Sequence, residues 1–196
     1  MKRVIGILAA AVALAGCLPV TTKSPVGSTA GFKSDAALYG MWEGEAPDSH
    51  DHEVAYIAIL SGDDGDATAV FVSMPVPVKS GDWASYAVKI AALGPYHYLD
   101  ARTLITDGKP AEGSEVQNSF PILYQFDKAG TLTLYLIDED VAKAAVQAGK
   151  IAGQAQSGNF GDVTLTAAPA DLDAFFSSPS GRALFTKPLI VMHRVK

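Results

Sequence analysis

Nine short, largely apolar runs separated by turn-forming residues constrain the fold more than any other feature of this sequence. The clearest is "TLTLYLI", in which Leu132, Leu134 and Leu136 alternate with polar or aromatic residues. Such alternation is typical of a strand with one buried face. The preceding run, "PILYQFD", leads into the turn "DKAG". Together the two runs predict a β-hairpin.

Seven further runs have the length and composition of strands. They are "YGMWEGE", "EVAYIAIL", "ATAVFVSM", "WASYAVKIAAL", "YHYLDARTLI", "DVTLTA" and "LIVMHRV". Turn-rich pieces such as "SGDDGD", "KSGD" and "LGP" separate them. Short strands at nearly regular spacing predict a mainly β fold, an antiparallel barrel or partly open barrel of about eight or nine strands, with a sandwich as the alternative.

Two helices are predicted late in the chain. "DEDVAKAAVQAGK" has Asp138 as its N-cap and Gly149 as its C-cap around an alanine-rich body. "APADLDAFFSS" has Pro169 near its start, followed by apolar residues at helical spacing. A third helical turn is expected at "SPSGRALF". We expect the two helices to lie over the sheet or to plug one end of it.

Strand alternation also predicts which side chains face inward. The inward set is Tyr86, Val88, Ile90, Ile122, Tyr124, Phe126, Leu132, Leu134 and Leu136. Its aromatic members Tyr86, Tyr124 and Phe126 are the candidate ligand-binding residues, because aromatic walls with few charges suit an acyl chain or another small apolar molecule. The alternative is that the same side chains fill the interior as an ordinary core.

Gly40 and Trp42 in "LYGMWEGE" resemble the Gly-x-Trp of the first barrel strand in lipocalins and their calycin relatives. In that superfamily the tryptophan closes the barrel floor, and an arginine near the last strand lies across its ring. The resemblance implies a lipocalin-like barrel with Trp42 buried at one end and Arg194, in "MHRVK", against its ring. Two helices between late strands depart from the single C-terminal helix usual in lipocalins.

The N-terminus has the anatomy of a secretory signal peptide. Lys2 and Arg3 precede an uncharged apolar run that ends in small residues before Cys17. The run is shorter than the roughly 20 residues that a helix needs to cross a bilayer. The segment that follows, "TTKSPVGSTAG", is polar. We therefore predict a cleaved leader and no permanent membrane span there.

"LAGC", ending at Cys17, resembles the lipobox of bacterial lipoproteins. The resemblance implies that the Cys17 thiol carries a diacylglycerol with chains such as palmitate, that cleavage occurs just before it, and that its amine is acylated. Several acyl chains anchor a protein firmly. Leu18 stands where an aspartate would resemble an inner-membrane retention signal. The predicted location is therefore the cell envelope, with the outer membrane favoured if the host is Gram-negative.

These features predict a signal peptide over 1–16, a lipid-anchored flexible tether over 17–36 that is rich in Ser, Thr, Pro and Gly, and a single β-rich domain over 37–196. Loss of Lys2 and Arg3 with the leader takes the net charge from −6 to −8. An acidic surface argues against nucleic acid or anionic lipid as an electrostatic partner.

Two stretches suggest metal sites only weakly. His50 and His52 in "SHDHE" are two residues apart, but no third ligand accompanies them, so a solvated loop is favoured. "GDDGD", at 62–66, lacks the rest of a calcium-binding loop and is predicted to be a hairpin turn. No cofactor or metal is predicted.

Catalytic motifs are missing from the sequence. It contains no Gly-x-Ser-x-Gly elbow, P-loop, dinucleotide fingerprint or zinc-protease helix. His97 and Asp100 fall on opposite faces of one predicted strand, with His97 expected among core or barrel-wall residues. Tyr98, Asp100 and Arg102 are predicted to form a polar outer stripe.

The predicted function is therefore that of a lipid-anchored envelope protein, not an enzyme, that binds a small apolar ligand or lipid. One alternative is a structural or assembly component that binds an envelope protein. The other is a hydrolase with an unrecognised site.

Overall fold

The computed structural model describes residues 20–45, 53–75, 81–155 and 163–196. The strands are β1 (Val20–Thr22), β2 (Gly40–Glu45), β3 (Glu53–Ser61), β4 (Asp66–Pro75), β5 (Asp82–Leu93), β6 (Tyr96–Thr106), β7 (Lys109–Pro110), β8 (Phe120–Phe126), β9 (Leu132–Tyr135), β10 (Gly153–Ala155), β11 (Val163–Leu165) and β12 (Pro188–Arg194). The helices are α1 (Ser114–Gln117), α2 (Glu139–Gln147), α3 (Pro169–Phe176) and α4 (Pro179–Arg182).

Eight strands close into an antiparallel barrel in the order β2-β3-β4-β5-β6-β8-β9-β12, with β12 pairing back to β2. Each strand pairs with the next barrel strand along the chain, so the barrel runs up and down. This confirms the predicted fold class. Eight of the nine predicted strands form the barrel, whereas "DVTLTA" supplies β11, which lies outside it in a three-stranded sheet with β1 and β10. β7 is an extra strand at the edge of β6.

The two ends of the barrel differ, and we name them for use below. The floor is the end at which β2 begins and β12 ends, and the mouth is the end at which β5 begins and β6 ends. The predicted turn at "GDDGD" joins β3 to β4 at the floor, with positive φ at Asp64 and Gly65. Near the mouth, a bulge in β6 makes Leu104 an extra residue opposite Ser85 and Tyr86.

The barrel interior holds the first of two hydrophobic clusters. Its buried members include Trp42, Ile57, Tyr86, Ile90, Leu99, Phe120, Ile122, Tyr124, Leu132, Leu134 and Met192. All nine residues predicted to face inward belong to this cluster, with Phe126 and Leu136 partly buried at its border. Alternation placed them correctly because neighbouring residues of a strand point to opposite faces.

The second cluster lies on the outside of β6 and β8. Tyr98 and Leu123, which point outward from these strands, are covered by residues of α2, α3, β1 and β11. The predicted helices therefore lie over the sheet and do not plug an end. Asp138 caps α2 as predicted, accepting from the Val141 N–H at 3.2 Å, and Gly149 follows that helix with φ of +66°. α4 is the predicted third helical turn.

Residues 20–36 correct the predicted domain organisation. The prediction made them part of a flexible tether, but Val20–Thr22 forms β1, which pairs with β11, and Val26 is fully buried. The folded domain therefore includes residues from Val20 onward. Hydrophobic periodicity could not reveal this, because polar backbone contacts fasten the segment to the domain. The predicted leader and Cys17 lie outside the described residues.

None of the helices in the described ranges is long and apolar enough to span a membrane.

Candidate functional site

Trp42 and Arg194 close the barrel floor as the sequence predicts. Trp42 is 1% exposed, and its Nε1–H donates to the Leu38 carbonyl at 2.8 Å. The Arg194 guanidinium carbon lies 4.4 Å from the centre of the Trp42 ring. Arg194 also donates to the carbonyls of Tyr39, at 2.6 Å, and of Ala37. The last strand is thereby tied to the segment that leads into the first.

Gly40 is required by this arrangement. Its φ is +130°, and a Cβ there would lie 2.5 Å from Nη1 of Arg194. A side chain at this position would therefore displace the guanidinium from the tryptophan ring. This contact explains why a glycine stands two residues before the tryptophan.

A row of rings leads from Trp42 to the surface. Successive ring centres are 5.7 Å apart from Trp42 to Phe126, 6.1 Å from Phe126 to Tyr124, and 5.5 Å from Tyr124 to His97. These separations are within the range of stabilising aromatic contacts. The row begins in the core and ends at His97, which is exposed on the rim of the floor.

A surface cleft of about 370 Å³ opens where this row ends. We call it the floor cleft; it is lined by Asp35, Pro95, Tyr96, His97, Leu123, Tyr124, Gln125 and Phe126. Its volume lies within the range of roughly 300 to 1,000 Å³ common for small-molecule sites. Its lining combines aromatic rings with one carboxylate.

Tyr124 forms the polar centre of the floor cleft. Its hydroxyl donates to Oδ2 of Asp35 at 2.8 Å and lies 3.5 Å from Nδ1 of His97. Burial, reinforced by the hydrogen bond to Asp35, raises the pKa of Tyr124 well above its usual value. The phenol therefore stays protonated at neutral pH and acts as a hydrogen-bond donor.

Asp35 holds one wall of the cleft in place. The Ala37 N–H donates to its Oδ1 at 3.0 Å, while its Oδ2 accepts from Tyr124. Within the described part of the chain, Asp35 forms no ion pair. Because a carboxylate has about four acceptor positions, Asp35 retains capacity for a donor from a ligand.

The three predicted ligand-binding residues do not form one site. Tyr124 and Phe126 line the floor cleft, but Tyr86 packs edge-on against Phe120, with ring centres 5.7 Å apart. Tyr86 pairs with Thr103 of β6, whereas Tyr124 pairs with His97 of the same strand. Six positions along a strand span about 20 Å. Tyr86 therefore belongs to the mouth half of the core.

The sequence did not predict the positions of two residues that line the floor cleft, His97 and Asp35. His97, expected among core or barrel-wall residues, lies on the barrel strand β6, but its side chain is exposed at the rim and not in the core. Asp35 was assigned to the tether, so no signal placed it beside Tyr124. Only the path of residues 20–36 across the barrel brings it there.

The polar outer stripe predicted on β6 is also corrected. Arg102 is exposed, but Tyr98 is fully buried and Asp100 is 3% exposed. The Val26 N–H donates to Oδ2 of Asp100 at 2.8 Å. Burial raises the pKa of Asp100 to about 7 despite this bond and a bond from Ser119. The three side chains do point outward from the barrel, as predicted. Two of them, Tyr98 and Asp100, are covered by the helices and the N-terminal segment.

Asp173 of α3 is the second buried carboxylate that holds the N-terminal segment. Its Oδ1 accepts from the Gly27 N–H at 2.6 Å. Its Oδ2 accepts from the Thr29 N–H at 2.8 Å, the Thr29 hydroxyl at 2.6 Å and the Ala30 N–H at 3.2 Å. A Cβ at Gly27 would collide with that of Ala91, so the segment approaches the barrel wall closely.

The remaining candidates stay predictions. Residues 20–45, 53–75, 81–155 and 163–196 contain no group of three or more metal-ligating side chains. His50 and His52, the weak metal candidates, lie outside these ranges, as does Cys17, the predicted lipidation site.

Comparisons of the chain with protein-family models, curated proteins and solved structures give no match. The functional interpretation therefore uses the geometry of this chain alone.

Proposed function

We propose that this protein is a lipid-anchored component of the cell envelope that binds a small molecule in the floor cleft and catalyses no reaction. The observation that carries the proposal is the meeting of Asp35, Tyr124 and Phe126 around a cleft of about 370 Å³. This cleft offers a carboxylate without an ion-pair partner in the described residues, next to aromatic walls.

The lining indicates the chemistry of the ligand. Tyr96, Phe126 and Pro95 present apolar surface, and burying such surface contributes about 25 cal/mol per Å². Asp35 accepts hydrogen bonds and attracts positive charge. The cleft therefore suits a small amphipathic molecule with a ring or short chain and an amine or another strong donor.

An acyl chain inside the barrel, the ligand suggested by the sequence, is less favoured. Trp42, Leu132 and Met192 are at most 1% exposed inside the barrel and pack in one cluster. A chain threaded past them would have to displace these side chains. The ligand proposed here therefore lies in the cleft and not along the barrel axis.

Binding is favoured over catalysis by the state of Tyr124. A phenol with a raised pKa that donates to Asp35 is a poor general base and a poor nucleophile at neutral pH. The group at the centre of the cleft is thus suited to holding a ligand.

The anchor is supported by the leader and by the "LAGC" sequence ending at Cys17. Labelling of the host with radioactive palmitate should mark the parent protein, and Cys17→Ser should abolish both labelling and normal processing. Cys17→Ser protein that is processed and sediments with membranes like the parent would exclude the anchor.

Ligand binding is tested with dansylcadaverine, which joins an aromatic group to an amine. We expect saturable binding to the protein lacking residues 1–16, with Kd of about 10–100 μM for a ligand of this size. Asp35→Asn should weaken binding at least about fivefold, by loss of a charged hydrogen-bond partner. Asp171→Asn, at an exposed carboxylate of α3, is the matched control.

Two outcomes would contradict the cleft as the binding site. One is no binding up to the solubility limit of the probe. The other is binding that Asp35→Asn and Asp171→Asn weaken equally, with circular dichroism showing both variants folded.

The second candidate function, an assembly component that binds an envelope protein, is favoured by the outer face of β3 and β4. Tyr56, Val70 and Val72 are partly exposed there, and Leu60 is 56% exposed. If this face carries the function, Val70→Lys should shift the native size of the protein in envelope extracts and leave dansylcadaverine binding unchanged. An unchanged native size in Val70→Lys, with dansylcadaverine binding intact, would favour the cleft.

A further inference from the structure

We infer that the outer face of β3, β4 and β5 is a dimer interface that binds the same face of a second copy of this chain. We call it the uncharged face. It consists of the alternate, outward-facing residues of β3 from Val54 to Leu60, of β4 from Thr68 to Met74 and of β5 from Trp83 to Ala87. The inference depends neither on the floor cleft nor on an anchor at Cys17.

The two central strands of this face are largely apolar on both sides. β3 contains "VAYIAIL" and β4 contains "ATAVFVSM", so their inward and outward residues alike carry no charge. An antiparallel sheet with one face in water commonly alternates between apolar inward residues and polar outward residues. Strands that read as continuous apolar runs are typical of sheets covered on both faces.

The opposite side of the barrel is covered in this way. Leu123 of β8 also points outward, and it is fully buried in the second hydrophobic cluster. In the described ranges, by contrast, β3 and β4 make their main contacts only with neighbouring barrel strands. Tyr56, Val70 and Val72 belong to neither hydrophobic cluster, and Leu60 is 56% exposed. A second molecule can supply the missing cover.

The lack of charge fits a second copy as that molecule. In a two-fold dimer, residues near the axis meet their own counterparts, so charged residues there would repel each other. The uncharged face avoids this repulsion. Interfaces between identical chains are also more apolar than those between transient partners.

The charges at the borders of the face favour a two-fold axis parallel to the strands. Exposed Glu43 and Glu45 of β2 lie along one border, and exposed Arg102 of β6 lies beyond β5 at the other. This axis brings the acidic border of one copy to the same side of the dimer as the basic border of the other. An axis across the strands would bring the two acidic borders together.

The size of the face suits a weak dimer. β3 and β4 have 9 and 10 residues, so each is about 30 Å long, and with β2 and β5 they span about 20 Å. Two copies can therefore bury about 1,000–1,200 Å², at the lower limit of specific interfaces. We expect a dimer Kd of about 1–50 μM.

A lipid surface suits this face less well. Surfaces that lie on membranes commonly carry lysine or arginine beside their apolar residues. Here the side chains that flank β3 on β2 are Glu43 and Glu45, and the chain is acidic overall. Anionic lipid would therefore repel this border.

The test uses protein lacking residues 1–16 and carrying Cys17→Ser. Cys17 is the only cysteine, so neither a lipid nor a disulfide can join two copies of this protein. Sedimentation equilibrium should give a mass that rises from one chain toward two between about 1 and 200 μM. Raising the salt concentration from about 0.05 to 0.5 M should strengthen association, because salt screens the repulsion between acidic copies.

Val70→Lys places a charge near the centre of the uncharged face and should raise the dimer Kd at least about tenfold. The matched control is Thr133→Lys, at a partly exposed outward position of β9 on the far side of the barrel, and it should leave the Kd unchanged. Circular dichroism checks that both variants fold.

Chemical crosslinking locates the interface without adding a charge. In the same Cys17→Ser background, a short bismaleimide should join two copies of Val70→Cys, because a residue near the axis lies close to its counterpart. Thr133→Cys should stay a single chain under the same conditions.

Several results would overturn the inference. They are a single-chain mass at every concentration, growth beyond two chains, equal weakening by Val70→Lys and Thr133→Lys, and failure of Val70→Cys to crosslink. Purified protein that stays a single chain but floats with phosphatidylcholine vesicles would make lipid the partner of this face. A size shift seen only in envelope extracts would make the partner another protein.

The dimer and the ligand site can fail separately. Asp35→Asn should weaken dansylcadaverine binding and leave the dimer Kd unchanged, whereas Val70→Lys should do the reverse.

Discussion

The two faces of β6 bear two kinds of core. Inward, Leu99 and Ala101 pack among apolar side chains of the other barrel strands. Outward, Tyr98 and Asp100 are equally buried, but under short helices and the N-terminal segment. The inner core is held by burial of alternating side chains. The outer layer also depends on hydrogen bonds to buried polar groups. Substitutions that remove these polar groups should therefore loosen the outer layer while the inner core stays folded.

The largest effect is expected in the inner core. Trp42→Ala removes the ring that contacts Arg194 and Phe126 and should lower the free energy of unfolding by about 3–5 kcal/mol. Urea denaturation followed by circular dichroism measures this. Trp83→Ala, at an exposed tryptophan, is the control and should cost far less. Equal costs for the two would show that the floor is not a core.

Asp173→Ala should loosen the outer layer while the barrel stays folded. It removes the acceptor of four hydrogen bonds from Gly27, Thr29 and Ala30, at a cost of about 2–3 kcal/mol. Trypsin should then cleave after Lys23 and Lys33 faster by tenfold or more, since 1.4 kcal/mol is a factor of about ten.

The control for this variant is Asp171→Ala, in the same helix but exposed. Unchanged cleavage in Asp173→Ala, or simultaneous loss of the barrel signal in circular dichroism, would contradict the separation of the two layers.

Much of the inner core could be predicted from sequence, and little of the outer layer could. Leu132, Leu134 and Tyr124 were placed inward because a strand has a fixed period of two. No comparable period links Val26 to Asp100 or Gly27 to Asp173, which are far apart in the chain. A Ser-, Thr-, Pro- and Gly-rich segment has the same composition whether it is free or fastened by its backbone. The floor cleft was missed for that reason, because Asp35 comes from this segment.

Asp100→Asn should stabilise the protein in a pH-dependent way. Burial raises the Asp100 pKa from 3.8 to about 7, with nearby Asp173 opposing ionisation and Lys89 favouring it. Between these values the unfolded chain releases a proton that the folded chain keeps, so this group's contribution to stability falls as pH rises from about 4 to about 7.

Asparagine keeps an acceptor for the Val26 N–H but carries no charge. The gain over the parent should be about 1–2 kcal/mol at pH 8 and should nearly vanish near pH 4. Thermal unfolding across this range measures it, with Asp63→Asn in the exposed β3–β4 turn as control. A gain that does not change with pH would mean that Asp100 titrates normally.

The smallest effect is expected for Tyr98→Phe. The Tyr98 hydroxyl donates to the Phe176 carbonyl at 2.7 Å, joining β6 to the end of α3. Losing this bond while keeping the ring should cost about 0.5–1.5 kcal/mol. Tyr135→Phe, at a partly exposed ring, is the comparison and should cost less. If the two variants unfold at the same urea concentration, the bond contributes no measurable stability.

The central claim is that residues 20–36 belong to the folded domain and are fastened to it by buried carboxylates. Native-state hydrogen exchange of the Val26, Gly27 and Thr29 amides, measured by NMR on protein lacking residues 1–16, tests it most directly. Each of these N–H groups donates to a buried carboxylate, so they should exchange far more slowly than free peptide amides and lose this protection in Asp173→Ala. Exchange at the rate of an unstructured chain in the parent protein would contradict the account.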